Sequence, residues 1–167
     1  MIILDTNVVS ETMRPTPDAQ VMDWLNNQTA ESLHLTSITL AELRFGIAVL
    51  SEGKRKQTLS QAVDGIAQLF HGRILPFDQA AADAYGPLAS LARQHGKGFP
   101  VPDGYIAAIA AAHNFIIVTR DTAPFLAAGL SVLNPWRAYE TSSQNNAENR
   151  LQQQPSHASL QAVDKVL

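Results

Sequence analysis

The sequence predicts an α/β fold, in which strands alternate with helices and a parallel sheet is covered on both faces. Three observations carry this expectation. Ile2-Ile3-Leu4 and Phe115-Ile116-Ile117-Val118-Thr119 are apolar runs too short for helices and unbroken enough for strands buried on both sides. Longer segments with a helical period separate such runs. Gly and Pro residues stand where the pattern changes.

Taken in order, residues 2–4 are the first strand. Pro15 and Pro17 punctuate a loop, and Asp18 is placed to cap a helix running to about Asn26, with Val21, Met22, Trp24 and Leu25 apolar. Leu33-His34-Leu35-Thr36 alternates as a second strand, and a helix over 39–50 follows. Gly53 breaks the chain before a helical period resumes over 54–70 through Leu59, Ala62, Ile66 and Leu69. Residues 73–75 form a short third strand ended by Pro76. Residues 78–94 are Ala-rich and helical, and Gly86-Pro87 is expected to kink or split them. A Gly/Pro-rich loop over 96–102 leads to a second Ala-rich helix over 103–113, then strands at 115–119 and 130–133. Residues 1–140 thus read as one domain. From Thr141 the chain is polar and lacks aromatic residues, which reads as a mobile tail over 141–167, with 158–167 able to form a short amphipathic helix.

Composition narrows the functional classes. At 167 residues with 46% hydrophobic and 16% charged residues, the chain is long enough and apolar enough for an ordinary core. No apolar run approaches a membrane span, and the start of the chain has no secretory pattern, so a soluble, cytoplasmic protein is expected. The absence of cysteine rules out disulfides and thiolate metal sites. A net charge of −3 argues against a broad basic face for nucleic acid, yet leaves room for a local basic rim or a basic partner.

Four acids stand at the ends of strands or near the starts of helices: Asp5, Glu42, Asp103 and Asp121. Each has a structural explanation by itself. Asp5 can initiate a turn, Glu42 lies three residues after Thr39 as in a capping box, Asp103 suits an N-cap, and Asp121 can cap the turn that follows it. Jointly they say more, because parallel sheets build sites at the carboxyl ends of their strands, where Asp5 and Asp121 fall. Helices opening at that edge with Glu42 and Asp103 in their first turns would point positive amide ends at a bound anion. Converging carboxylates repel one another, and a divalent cation is the usual remedy. That chemistry is metal-assisted attack on phosphate esters.

Other candidates are weaker. The five histidines show no metal-ligand spacing, and Lys54-Arg55-Lys56 reads as a solvated helix face. Arg120, beside Asp121, and Lys97, between two glycines, are better placed to touch a substrate backbone. Asp5-Thr6-Asn7 bears a loose likeness to phosphatases and dehalogenases with a strand-end Asp nucleophile, but the lysine and later acidic pair they need have no convincing equivalents.

In these same residues the chain resembles the PIN-domain ribonucleases, in particular the VapC-type toxins of bacterial toxin–antitoxin pairs and their FitB-like branch. The matching pieces are Ile3-Leu4-Asp5-Thr6-Asn7 with Ser10-Glu11, Thr39-Leu40-Ala41-Glu42-Leu43-Arg44-Phe45-Gly46, Pro102-Asp103-Gly104-Tyr105-Ile106-Ala107-Ala108, Val118-Thr119-Arg120-Asp121, and Leu133-Asn134-Pro135-Trp136. They occur in order across roughly residues 1–139. The resemblance implies a three-layer α/β/α sandwich around a short parallel sheet, usually a homodimer. It implies that Asp5, Glu42, Asp103 and Asp121 bind Mg²⁺ or Mn²⁺ for RNA cleavage, with Thr6, Asn7 and Thr119 as supporting polar residues. It also implies a cognate antitoxin as partner, with operator DNA reached only through that antitoxin. A rival role is mainly that of a partner in the antitoxin complex, with weak or no nuclease activity. Many relatives carry a further Asp where this chain has Pro124, which leaves Asp121 as the single carboxylate expected at that corner.

Overall fold

Ile2–Leu4 forms β1, and Asp5 ends it and caps the next element at once. The computed structural model describes residues 1–137, so the tail expected over 141–167, its possible helix over 158–167 and the last expected domain residues, 138–140, lie outside the described residues. The elements after β1 are α1 (Thr6–Thr12), α2 (Ala19–Asn26), β2 (Leu33–Thr36), α3 (Ser37–Ala48), α4 (Lys54–Leu69), β3 (Ile74–Leu75), α5 (Gln79–Gln94), α6 (Val101–His113), β4 (Ile116–Val118), α7 (Ala123–Ala127) and β5 (Val132–Leu133). Short 3-10 turns occupy Ala30–Ser32 and Pro135–Arg137.

The five strands pair in parallel in the order β3-β2-β1-β4-β5. The direction in which strands are added to the sheet reverses at β1, because β2 and β3 lie on one side of it and β4 and β5 on the other. Such a switch point leaves a crevice at the carboxyl ends of the adjacent strands. Leu4 pairs with Val118 there, which puts Asp5 beside Thr119.

Alternation along the strands divides the core into the two halves of a sandwich. Leu4, Leu35 and Val118 pack with Val8, Val9, Val21, Leu43, Val63 and Phe70. Ile3 and Ile117 pack instead with Ala81, Phe125 and the α6 residues Ile106, Ala107, Ile109 and Ala110. The expected α/β/α architecture is therefore present.

Several expectations need correction. The chain from Thr6 to Thr12 is helical although no helix was expected there, and Asp5 is its N-cap, accepting from the Thr6 N–H. Helix α3 starts at Ser37, because the buried Thr36 hydroxyl accepts from the Thr39 N–H at 2.9 Å. Glu42 therefore lies in the second turn and takes no part in capping. Helix α6 starts at Val101, which makes Asp103 its third residue rather than its N-cap. Pro102 fits the first turn, since an N–H there has no partner within the helix. Asp121 caps nothing: Thr122 precedes α7 and makes no side-chain cap bond. Pro87 lies inside an unbroken α5, so Gly86-Pro87 does not split that helix. The Asp18 cap is as expected, accepting from the Gln20 N–H at 2.9 Å, and Asp78 caps α5 by accepting from the Ala81 N–H at 3.0 Å.

Candidate functional site

Asp5 is the most enclosed member of the quartet, with 5% of its surface exposed. Three donors hold its carboxylate: the Thr6 N–H at 2.7 Å, the Asn7 amide at 2.6 Å and the Thr119 hydroxyl at 2.7 Å. The Asn7 amide also reaches the Thr119 hydroxyl at 2.8 Å, and its carbonyl oxygen accepts from the Arg120 N–H at 3.1 Å. The Thr119 hydroxyl in turn accepts from the Asp121 N–H at 3.1 Å. These bonds tie the end of β1 to the end of β4. Thr6 makes the next link, its hydroxyl donating to Glu42 Oε2 at 2.6 Å across from α3. The three polar residues expected to support the site all touch an acid of the quartet or organise one.

The remaining acids are near enough to act on one another through their charges. Burial pushes the Asp103 carboxyl up to about 6, and the charges of Asp5, Glu42 and Asp121 push it the same way. Asp5 is also raised, mainly by burial, against the lowering effect of its donors and with a further upward push from Glu42. Four carboxylates from β1, α3, α6 and the β4–α7 corner thus share one field, and each repels the next. Among the described residues, none of the four stands in an ion pair.

An all-oxygen, multiply anionic set of side chains, none of them in an ion pair among the described residues, is the donor chemistry that suits a hard divalent ion. The hollow is not a closed cage, however. Among the described residues no three His, Asp or Glu side chains already stand at metal-holding spacing. Mg²⁺ tolerates this because it keeps several of its waters and needs few direct protein ligands. The buried Pro124, second residue of α7, offers no further carboxylate beside Asp121 at that corner.

Sequence reasoning missed Glu11. Its side chain is 2% exposed, and one carboxylate serves Arg14 at 3.1 Å, Arg120 at 3.4 Å and the Asp18 N–H at 3.0 Å. The signal for it was an unrecognised helix. Had α1 been expected, Glu11 would have fallen one turn after Asn7, on the same face. Arg120 also lays its guanidinium over the Trp136 ring, 4.5 Å from the centroid. Lys97 is exposed and bonds to the Ala92 carbonyl through its backbone, with no contact bringing it to the acids. Three of the histidines serve elsewhere: His95 pairs with the Ala127 carbonyl, and His34 and His113 pack against Phe115.

Comparison with known proteins gives a consistent picture. The family model described as the PIN domain matches residues 2–129. Over 137 residues the chain is 48% identical to Toxin FitB of Neisseria gonorrhoeae, spanning 81% of this chain and 99% of that protein. It is 47% identical over 137 residues to VapC ribonuclease Y4jK of Sinorhizobium fredii, spanning 81% and 98% respectively. Among solved structures, one of FitAB bound to the IR36 DNA fragment superposes with a TM-score of 0.78 at 47% identity, covering 82% of this chain and 96% of the other.

Proposed function

The chain belongs to the PIN-domain family, and from that membership we propose that it is a divalent-metal-dependent endoribonuclease, the toxin of a toxin–antitoxin pair. The observation that carries the reading is the bonded network at the sheet's switch point, where Thr6, Asn7 and Thr119 hold the buried Asp5 carboxylate and the Thr6 hydroxyl reaches Glu42 from α3, with the raised Asp103 carboxyl in keeping with it. Isolated caps and turn residues do not converge in this way. The printed names of the relatives, a toxin and a ribonuclease, support the same conclusion.

In this reading Asp5, Glu42 and Asp103 hold Mg²⁺ or Mn²⁺, directly or through water, and Asp121 completes the pocket or positions the nucleophile. When bound, the ion supplies Lewis acidity at the phosphoryl oxygen and lowers the pKa of a coordinated water. The protein's own contribution is pre-organisation. Asn7 and Thr119 fix the Asp5 carboxylate, and Thr6 fixes Glu42, so the hollow needs little rearrangement when charge builds up on the phosphate. With several carboxylates close to one another, no single one is named as the base for the proton that must leave the attacking water.

The partner in this reading is a cognate antitoxin, which inhibits cleavage and carries the complex to operator DNA, in keeping with the DNA-bound FitAB relative. A net charge of −3 suits a basic partner, and a homodimer is the expected toxin unit. Asp5→Asn is expected to leave the circular dichroism spectrum and melting unchanged in form while reducing Mg²⁺-dependent RNA cleavage by at least about a hundredfold. Undiminished cleavage by a rigorously purified Asp5→Asn protein would overturn the assignment.

A further inference from the structure

Glu11 is a buried carboxylate outside the quartet, and two arginines converge on it. Arg14 Nη1 lies 3.1 Å from Glu11 Oε2 and Arg120 Nη2 lies 3.4 Å from the same oxygen, while the Asp18 N–H donates to Oε1 at 3.0 Å. Two guanidinium charges against one carboxylate leave an excess positive charge at this spot. Arg14 and Arg120 keep 55% and 48% of their side-chain surface exposed, whereas Glu11 keeps 2%. The acid is the buried anchor and the arginines are the exposed working groups.

Their position relative to the acidic hollow is set by the chain itself. Arg120 lies between Thr119, which donates to Asp5, and Asp121, and its own N–H donates to Asn7. Arg14 follows the helix that Asp5 caps. Arg120 is further restrained by its guanidinium carbon lying 4.5 Å from the Trp136 ring centroid, a cation–π contact that takes up none of its N–H donors. A guanidinium restrained in this way can meet a phosphate by a two-point hydrogen bond with less side-chain freedom left to lose.

We propose that Glu11 presets Arg14 and Arg120 as a phosphate-binding rim that holds the RNA backbone beside the carboxylate hollow. This rests on the nuclease reading above, and it answers a difficulty in that reading. A polyanion must reach a hollow made of four acids in a chain of net charge −3, and a local cationic rim offsets that repulsion where the strand enters. Phosphate contacts of this kind position the strand and carry no base specificity.

The test measures binding apart from cleavage. Fluorescence anisotropy with a labelled single-stranded RNA, in Mg²⁺ and in an Asp5→Asn background that does not cut, is followed across a salt series. Arg14→Ala and Arg120→Ala are each expected to weaken binding several-fold and to reduce the slope of log affinity against log salt by about 0.7. Arg14→Lys and Arg120→Lys should keep most of the slope, because the charge remains. Arg14 is exposed enough that its Ala variant carries the test even if Arg120→Ala unfolds, and melting curves monitor both. Parent-like affinity and slope in Arg14→Ala and Arg120→Ala would show that the arginines only brace Glu11, and the rim would be refuted. A parent protein that binds no RNA would refute it as well. Arginine-dependent binding alongside a wild-type chain that never cleaves RNA would keep the rim and remove the nuclease assignment.

Discussion

At Asp103 burial and three neighbouring carboxylates all act in one direction, and the consequence can be measured without any substrate. The folded chain binds this proton more tightly than the unfolded chain, since the group moves from 3.8 to about 6. Its contribution to stability is therefore present below about pH 4 and is lost as the pH rises through about 6. Asp103→Asn removes the charge and keeps the shape. In metal-free buffer near pH 7.5 the variant is expected to melt a few degrees above wild type, with the difference vanishing near pH 4 (an effect on the order of 1 kcal/mol after allowing for the group's partial exposure). A variant that melts below wild type at both pH values would mean that Asp103 is held by favourable contacts rather than opposed by its neighbours. The four acids were legible in the sequence because a carboxylate next to an apolar run is conspicuous. Glu11 was not, because its burial depends on Arg14, Arg120 and the Asp18 N–H, and Arg120 lies far away along the chain.

Helix α6 delivers Asp103 to the hollow, and its neighbour Gly104 sets how closely that helix approaches α5. A Cβ added at Gly104 would come within 2.8 Å of Tyr85 Cε2 and 3.3 Å of Phe99 Cβ. Tyr85 is itself packed on Tyr105, with ring centroids 5.1 Å apart, so it has limited room to retreat. Gly104→Ala is expected to destabilise the fold by about 1–3 kcal/mol despite the better helix propensity of Ala. It should also weaken RNA cleavage more than the loss of stability explains, by displacing Asp103. A melting midpoint at or above wild type would show that Tyr85 simply rotates aside. The same scale explains what the sequence concealed. Strands and the longer helices follow hydrophobic period, but α1 contains Thr6, Val8, Val9 and Thr12, which are poor helix formers. Its helicity comes from burying Val8 and Val9 against the sheet, a tertiary effect no local window displays. Helix α7 is only five residues long and has Pro124 in its first turn, so it reads as a turn. The true starts of α3 and α6 are earlier than the acids that drew attention, because the Thr36 side chain caps α3 and Pro100 stands at the N-cap position of α6.

For the whole molecule, folding must hold like charges together that the unfolded chain keeps apart. The quartet draws on β1, α3, α6 and the β4–α7 corner, so its assembly requires both core layers to be in place. An ion that binds this hollow binds the folded chain alone, and mass action then raises stability by RT ln(1 + [L]/Kd), about 2.7 kcal/mol at a hundredfold excess over Kd. Titrating MgCl₂ or MnCl₂ into metal-free protein at pH 7.5 is therefore expected to raise the melting midpoint by several degrees in a saturable manner. NaCl at matched ionic strength separates the possibilities, because plain screening relieves carboxylate repulsion without a defined stoichiometry. Asp5→Asn and Asp103→Asn should each lose most of the divalent-specific shift, and Glu11→Gln, which lies outside the quartet, should retain it on a lower baseline. If NaCl reproduces the divalent curve in the wild-type chain, the acids form only a region of repulsion, and the catalytic reading loses its cofactor.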